Sequence, residues 1–388
     1  MSNNSNLSIV VPVKNCLDNL KLMLQKIDNQ TILPSEIIVV DTSTNDFIKN
    51  FINIYRSDIK IIYIYLPNSN PGRSRNIGIK KSNFKYIGLL DVQTLPKKNW
   101  IENYLEIIKN KKCSIVFGST VYKYHNYKSR IIISSTFGNA SHETSPGSIF
   151  LKDNLKNILF LDNVRAGNDL EWRQRIKDKY SFYTPDKNFL NYENINDSFF
   201  FNIFKFFIYA INNAKVDVQS NIKDAYLGVF IIFASLVVPR WNYLIGNWNN
   251  NPLYIPNITK IYLSFLIIFF MTLFLLKIIQ AKNSFSSFSL KFIIFIFISL
   301  GIYKWNAFTI NVLEEYIFYI PHVTKIYVSI IILLSIFYRG IFLPINKNVN
   351  KNFLFPINWI FIGVFGMFLD LVKAPGYIIG GIYKTILR

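Results

Sequence analysis

The chain has 388 residues, 51% of them apolar and 35 of them Phe, which excludes a disordered polymer and allows two domains that each bury a core. Lys and Arg outnumber Asp and Glu by 43 to 23, for a formal net charge of +20. The basic residues are spread along the chain without a nucleic-acid motif, so an anionic membrane surface is the expected partner and no nucleic acid is.

Met1 to Asn6 is polar and lacks an apolar signal core. Leu7 to Val13 then reads as a strand, and Leu17 to Asp28 carries Leu17, Leu20, Leu24 and Ile27 at helical spacing. Glu36 to Asp41 is a strand, Asp46 to Tyr55 a helix, Lys60 to Leu66 a strand, and Gly72 to Lys81 a helix. Tyr86 to Asp91 is the next strand, Ser145 to Leu151 another, and Asp169 to Lys179 a helix. Near-continuous apolar strands alternating with helices predict a mainly parallel sheet covered on both faces. Cys16 and Cys113 fit no metal spacing and read as reduced, cytosolic thiols. His125 and His142 likewise have no ligand partners at metal spacing.

The character of the chain changes near residue 200. Residues 1–197 read as a catalytic domain and 198–224 as a linker, with the Phe-rich Phe199 to Asn212 an interfacial helix. Residues 225–388 read as a membrane region with about four spans: Ala225 to Pro239, Ile261 to Ile279, Phe292 to Tyr303 and Ile326 to Leu343, some with their flanks. Trp359 to Leu369 is a fifth apolar run that Asp370, Lys373 and Pro375 are expected to cut short, leaving a re-entrant or interfacial segment. Asp370 and Lys373 invite a functional reading in that setting, and equally a simple ion pair three residues apart. Lys277, Lys282 and Lys291 in one loop, and Arg339, Lys347 and Lys351 in another, place the N-terminal domain on the cytoplasmic side of a multi-pass inner membrane.

Two strands end in an acid, Asp41 and Asp91. In an open α/β sheet, ligands bind outside the carboxyl ends of the strands, and an acid there can hold a divalent cation that clamps a diphosphate. Gly72-Arg73-Ser74-Arg75-Asn76-Ile77-Gly78 opens a helix without the G-x-G-x-x-G spacing of a dinucleotide fingerprint. Asp169 opens another helix, where negative charge is favoured, and suits either a general base or an N-terminal cap. Arg173 and Arg175 could face phosphates or water.

In these segments residues 7 to 180 resemble the family 2 glycosyltransferases, inverting enzymes of the GT-A fold. Ser8 to Asn15 looks like the family's opening strand, which implies a nucleotide cradle at Pro12, Val13 and Asn15. Asp41 matches the acid that contacts base or ribose, with Thr42 in place of the usual second acid. Arg73, Arg75 and Asn76 match the segment that lines the donor diphosphate. Asp91-Val92-Gln93 stands where the family carries an Asp-x-Asp pair, which implies Mg or Mn at Asp91 and Gln93. Asp169, in Gly167-Asn168-Asp169, matches the catalytic base. The Gln-x-x-Arg-Trp motif of processive synthases is absent. The resemblance thus implies a GT-A, Rossmann-like domain followed by helical membrane spans. It also implies transfer of a sugar from a nucleotide-sugar donor to a lipid-linked or glycan acceptor at the membrane. A polyprenyl-phosphate sugar transferase is one alternative. A transport or scaffold protein with a weak or inactive transferase domain is another, favoured by Thr42 and Gln93.

Overall fold

The computed structural model describes residues 4–155, 157–193, 195–216 and 332–386, with shorter stretches between 237 and 329. Most of the three apolar runs at 225–239, 261–279 and 292–303 lies outside the described residues, as do Lys277, Lys282 and Lys291.

The first half of the sheet is parallel. It holds β1 (Asn4–Val13), β2 (Leu33–Asp41), β3 (Lys60–Tyr65) and β4 (Tyr86–Leu89), in the spatial order β3-β2-β1-β4. The helices α1 (Leu17–Asp28), α2 (Phe47–Ile54) and α3 (Pro71–Lys81) make the crossovers. Alternate strand residues feed opposite faces, as the two-residue period requires. Leu7, Ile9, Val11, Ile37 and Val39 pack with Leu20, Leu24 and Ile27 of α1, while Val10, Ile38, Val40, Ile87 and Leu89 pack on the other face with Ile79 of α3. Each such fully buried side chain contributes about 1.5–3 kcal/mol relative to exposure.

The second half is largely antiparallel. It comprises β5 (Thr94–Pro96), α4 (Trp100–Lys111), β6 (Ile115–Tyr122), α5 (Tyr127–Thr136), β7 (His142–Leu151) and α6 (Lys152–Leu155). After these come α7 (Asn168–Lys177), β8 (Phe182–Tyr183) and β9 (Leu190–Tyr192). The order continues from β4 as β7-β6-β9-β5, with β8 beside β6. β7 runs antiparallel to both β4 and β6. The sheet is therefore mixed: its first half is wholly parallel, and in the second half only β6 with β8 and with β9 pair in parallel.

α8 (Phe199–Lys215) follows, capped by Ser198 Oγ, which accepts from the Phe201 N–H at 3.3 Å. It packs along a C-terminal helix, Asn358–Ile386, whose Gly376 and Gly380 let the two backbones approach. A Cβ on Gly380 would stand 2.3 Å from Ile211 O and 2.7 Å from Ala214 Cβ. A shorter apolar helix, Ile332–Asn346, packs beside them and covers the described part of the run at 326–343. One described stretch, Asn358–Gly381, is long and apolar enough to cross a membrane.

The expected break at Asp370, Lys373 and Pro375 does not occur: the helix runs through all three. Asp370 is neutralised from two sides, by Arg339 Nε at 2.6 Å and Lys373 Nζ at 3.4 Å, so the acid does not have to reach water.

Candidate active site

The chain leaves β1 on one side to build β2 and β3, then returns to β1's other side with β4. That reversal opens a crevice at the carboxyl ends of β1 and β4. The last β1–β4 pair is Val10 with Leu89, and Pro12 to Asn15 on one side and Leu90 to Gln93 on the other extend past it. β4 stops short of Asp91, which sits in a turn closed by the Thr94 N–H donating to Asp91 O at 2.8 Å.

At the β1 end, Pro12 is half-buried, Val13 is buried and Asn15 takes a left-handed φ of 51°. The Asn15 N–H donates to Ser43 Oγ at 2.8 Å, and Asn15 Oδ1 accepts from the Thr44 N–H at 3.1 Å. Asp41 is wholly buried. Its Oδ1 accepts from the Ser43 N–H at 2.8 Å and its Oδ2 from the Tyr63 hydroxyl at 2.9 Å. Burial, and then the Asp41 hydrogen bond and charge, hold the Tyr63 phenol protonated well above its ordinary range. Thr42, in place of an acid, bonds Val13 O through both its N–H and its hydroxyl and ties β2 to β1.

α3 brings three of the expected residues. Arg73 is exposed on its first turn. Arg75 is buried and its Nη2 donates to both Asp91 oxygens, at 2.8 and 2.9 Å, while its guanidinium lies over the Phe160 ring. Asn76 is buried and clamps a loop: its amide donates to Phe160 O and Asp162 Oδ1 and accepts from the Phe160 N–H. Phe160 stacks on Trp172 of α7, whose indole N–H donates to Ile158 O at 2.7 Å. Asn76 thus connects the middle of α3, through the loop it holds, to the helix that carries Asp169.

Gly167, with φ of +81°, is the N-cap of α7 and provides no side-chain cap. A Cβ there would meet Asn213 Oδ1 of α8 at 2.6 Å. Asp169 is the second helical residue, not the cap. Arg173 and Lys177 both reach Glu143 of β7, at 3.0 and 2.7 Å, so Arg173 faces protein rather than water. Arg175 pairs with Glu171 and donates to Leu159 O at 2.7 Å.

Three tyrosines that the sequence did not single out join the two acids: Tyr122 at the end of β6, Tyr192 at the end of β9 and Tyr209 on α8. Tyr122 stays protonated well above the ordinary range, first through burial and then through the charge of Asp169, with Asp91 adding a smaller push and Arg173 opposing. Tyr209 is pushed up to about 12 by burial, then by Asp169 and Asp91, against Arg165. The Tyr122 and Tyr192 rings lie 5.0 Å apart, and the Tyr192 hydroxyl reaches Gln93, two residues from Asp91. The only sequence signal for these three was a hydroxyl-bearing aromatic near a strand or helix end, weak in a chain with 23 tyrosines.

The expected metal ligands are engaged with protein. Asp91 is held by Arg75, and Gln93 Oε1 accepts from the Tyr192 hydroxyl. Among the described residues no group of three or more His, Cys, Asp or Glu could hold a metal ion. Hard divalent cations want several oxygen ligands, usually including carboxylates. At diphosphate sites the protein supplies one or two of these and the substrate's phosphates supply others; Asp91 offers one carboxylate, and Arg75 already pairs with it.

The parallel β3-β2-β1-β4 half continued by a largely antiparallel half is the mixed, Rossmann-like sheet of the GT-A fold. Residues 8–210, more than half of the chain, match the family model for glycosyl transferase family 2, and the chain belongs to that family. An uncharacterised glycosyltransferase of Rickettsia bellii is 27% identical over 176 residues, 42% of this chain and 25% of that protein. The chain thus spans about a quarter of the length of the first Rickettsia relative it matches. The teichuronic acid biosynthesis glycosyltransferase TuaG of Bacillus subtilis, itself a provisional assignment, is 22% identical over 205 residues, 49% of this chain and 80% of that one. Among solved structures, S. aureus TarS 1-349 in complex with UDP-GlcNAc is 17% identical with a TM-score of 0.40, covering 56% of this chain and 69% of that one.

Proposed function

We propose that the protein is a membrane-bound inverting glycosyltransferase of glycan or polysaccharide biosynthesis, with its catalytic domain in the cytoplasm. It moves a sugar from a nucleotide-sugar donor to a lipid-linked or membrane-proximal acceptor. The observation that carries this reading is Asp91, held by Arg75 just past the carboxyl end of β4, in a chain whose residues 8–210 match glycosyl transferase family 2.

The donor base and ribose lie at Asp41, with Pro12, Val13 and Asn15 forming the floor. The diphosphate lies at Arg73, Arg75 and Asp91, where the free N–H groups at the start of α3 favour an anion. Asn76 acts through the loop it holds. The acceptor oxygen attacks the anomeric carbon on the face opposite the diphosphate. As the new C–O bond forms, the old one breaks, and the nucleoside diphosphate leaves with the electron pair. Asp169 takes the acceptor's proton. Donors fixed beforehand around the departing phosphates are worth more here than in water, because they need no reorganisation.

The membrane reading is supported by the net charge, by the long C-terminal helix and by α8, which exposes Phe200 (86%) and Phe204 (65%) beside the crevice residue Tyr209.

The test uses the full chain in lipid vesicles with a panel of nucleotide sugars and a membrane-lipid extract. A lipid-extractable glycoside with the anomeric configuration opposite to the donor's is expected by NMR. A retained configuration, or donor consumption indifferent to the lipid extract, sinks the reading.

A further inference from the structure

We infer that Gln93 binds the donor diphosphate through its amide N–H groups, that Tyr192 is the positioning residue that turns the amide that way, and that donor binding needs no divalent cation. This rests on the nucleotide-sugar reading above. Gln93 lies in the loop between β4 and β5, at the carboxyl end of β4 beside Asp91. Its backbone is fixed by the Glu193 N–H donating to Gln93 O at 3.1 Å, and Thr94 pairs with Tyr192 in the adjoining ladder. The Tyr192 hydroxyl donates to Gln93 Oε1. A tyrosine hydroxyl is protonated at neutral pH and so can donate there.

The consequence is polarity at position 93. With Oε1 satisfied by Tyr192, the amide group left to the crevice is Nε2, which makes no hydrogen bond among the described residues and is not cut off from solvent. An amide nitrogen has two donors and no acceptor, which matches phosphate oxygens and repels a cation. Charge balance points the same way. Two carboxylates facing a diphosphate would demand a dication between them. Here there is one carboxylate, Asp91, and Arg75 already compensates it with side-chain exposures of 33% and 6%. An incoming diphosphate meets a neutral ion pair, two N–H donors and the exposed Arg73.

The test titrates UDP and GDP into the full-length protein by calorimetry, in excess EDTA and in excess Mn²⁺. The tighter nucleotide should bind in EDTA within about threefold of its affinity in Mn²⁺. Gln93→Asp should bind at least about tenfold more weakly in EDTA and regain affinity with Mn²⁺, because a charge-assisted hydrogen bond is lost and a repulsive carboxylate gained. Tyr192→Phe, which frees the amide to turn, should lose affinity in EDTA but not in Mn²⁺; a merely structural tyrosine would lose it equally in both. If Gln93→Asp fails to melt cooperatively, the wild-type and Tyr192→Phe titrations decide. Binding by wild type only with Mn²⁺, or equal binding by Gln93→Asp in EDTA, overturns the inference and leaves the donor reading standing. Absence of binding by either nucleotide in both buffers overturns the donor reading and this inference together.

Discussion

Asp41 is a carboxylate with no exposed surface and both oxygens bonded, one to a backbone N–H and one to a phenol. Its position at a strand end is what a sequence can show. Its partner Tyr63 is not, because that contact crosses from β2 to β3. Asp41→Asn turns an amide donor toward one of those two donors, and a buried polar group left unsatisfied costs about 1–3 kcal/mol. A lower melting temperature and weaker nucleotide binding are expected together. Tyr63→Phe removes one neutral partner only, so its loss should be near 1 kcal/mol. Equal melting curves for wild type and Asp41→Asn would mean the carboxylate is not held as described. Asp91 was legible on the same grounds, whereas Arg75's grip on it was not, since nothing in the spacing of a helix tells where its arginine points. The surroundings of Gln93 were hidden for a related reason: Tyr192, on a strand far along the chain, bonds its amide oxygen.

The elements of the parallel half were legible because each has a clear period and a helix between strands. The antiparallel half was less so. β5, β8 and β9 have two or three residues each, too few to show alternation, and they exist because longer neighbours offer them an edge. α7 was found within two residues, and what fixes it is the charge cluster on β7. Burial would raise the Glu143 carboxyl, but Lys177, Thr184 and Arg173 together bring it below the ordinary range. Its folded value lies below its unfolded one, so its stabilisation is complete above the unfolded value and is lost as pH falls through the folded one. Glu143→Gln should therefore melt lower at neutral pH, by about 1–3 kcal/mol, and lose less further stability than wild type on acidification. Parallel melting-versus-pH curves for the two proteins would refute this. At the seam of α8 and the C-terminal helix, Gly380→Ala should destabilise despite alanine's better helix propensity, because its Cβ meets the Ile211 backbone. Gly381→Ala, whose Cβ meets nothing within 4 Å, should be neutral or stabilising by up to about 1 kcal/mol. The reverse order in thermal melts would place the seam elsewhere.

For the whole molecule, the change of composition near residue 200 marks a change of sequence character more than a gap in packing. Ile132, Ile133 and Ile195 share one buried cluster with Phe199, Phe365 and Leu369, so the last helices cover α5. A chain ended after residue 197 should consequently aggregate or bind a hydrophobic dye, and a monodisperse, dye-silent product would show that α5 needs no cover. The apolar runs were legible from hydropathy, but the helix through Pro375 was not, since its tolerance of Asp370 comes from Arg339 on a separate helix. The claim on which the rest hangs is that Asp169 is the base of a sugar transfer whose donor is held at Asp41, Asp91 and Arg75. The most direct measurement is nucleoside diphosphate release by wild type and Asp169→Asn, with donor affinity measured alongside. A fall in turnover of about 10²–10⁴-fold at nearly unchanged donor affinity is expected. Turnover within about tenfold of wild type, with chemistry rate-limiting, would contradict it.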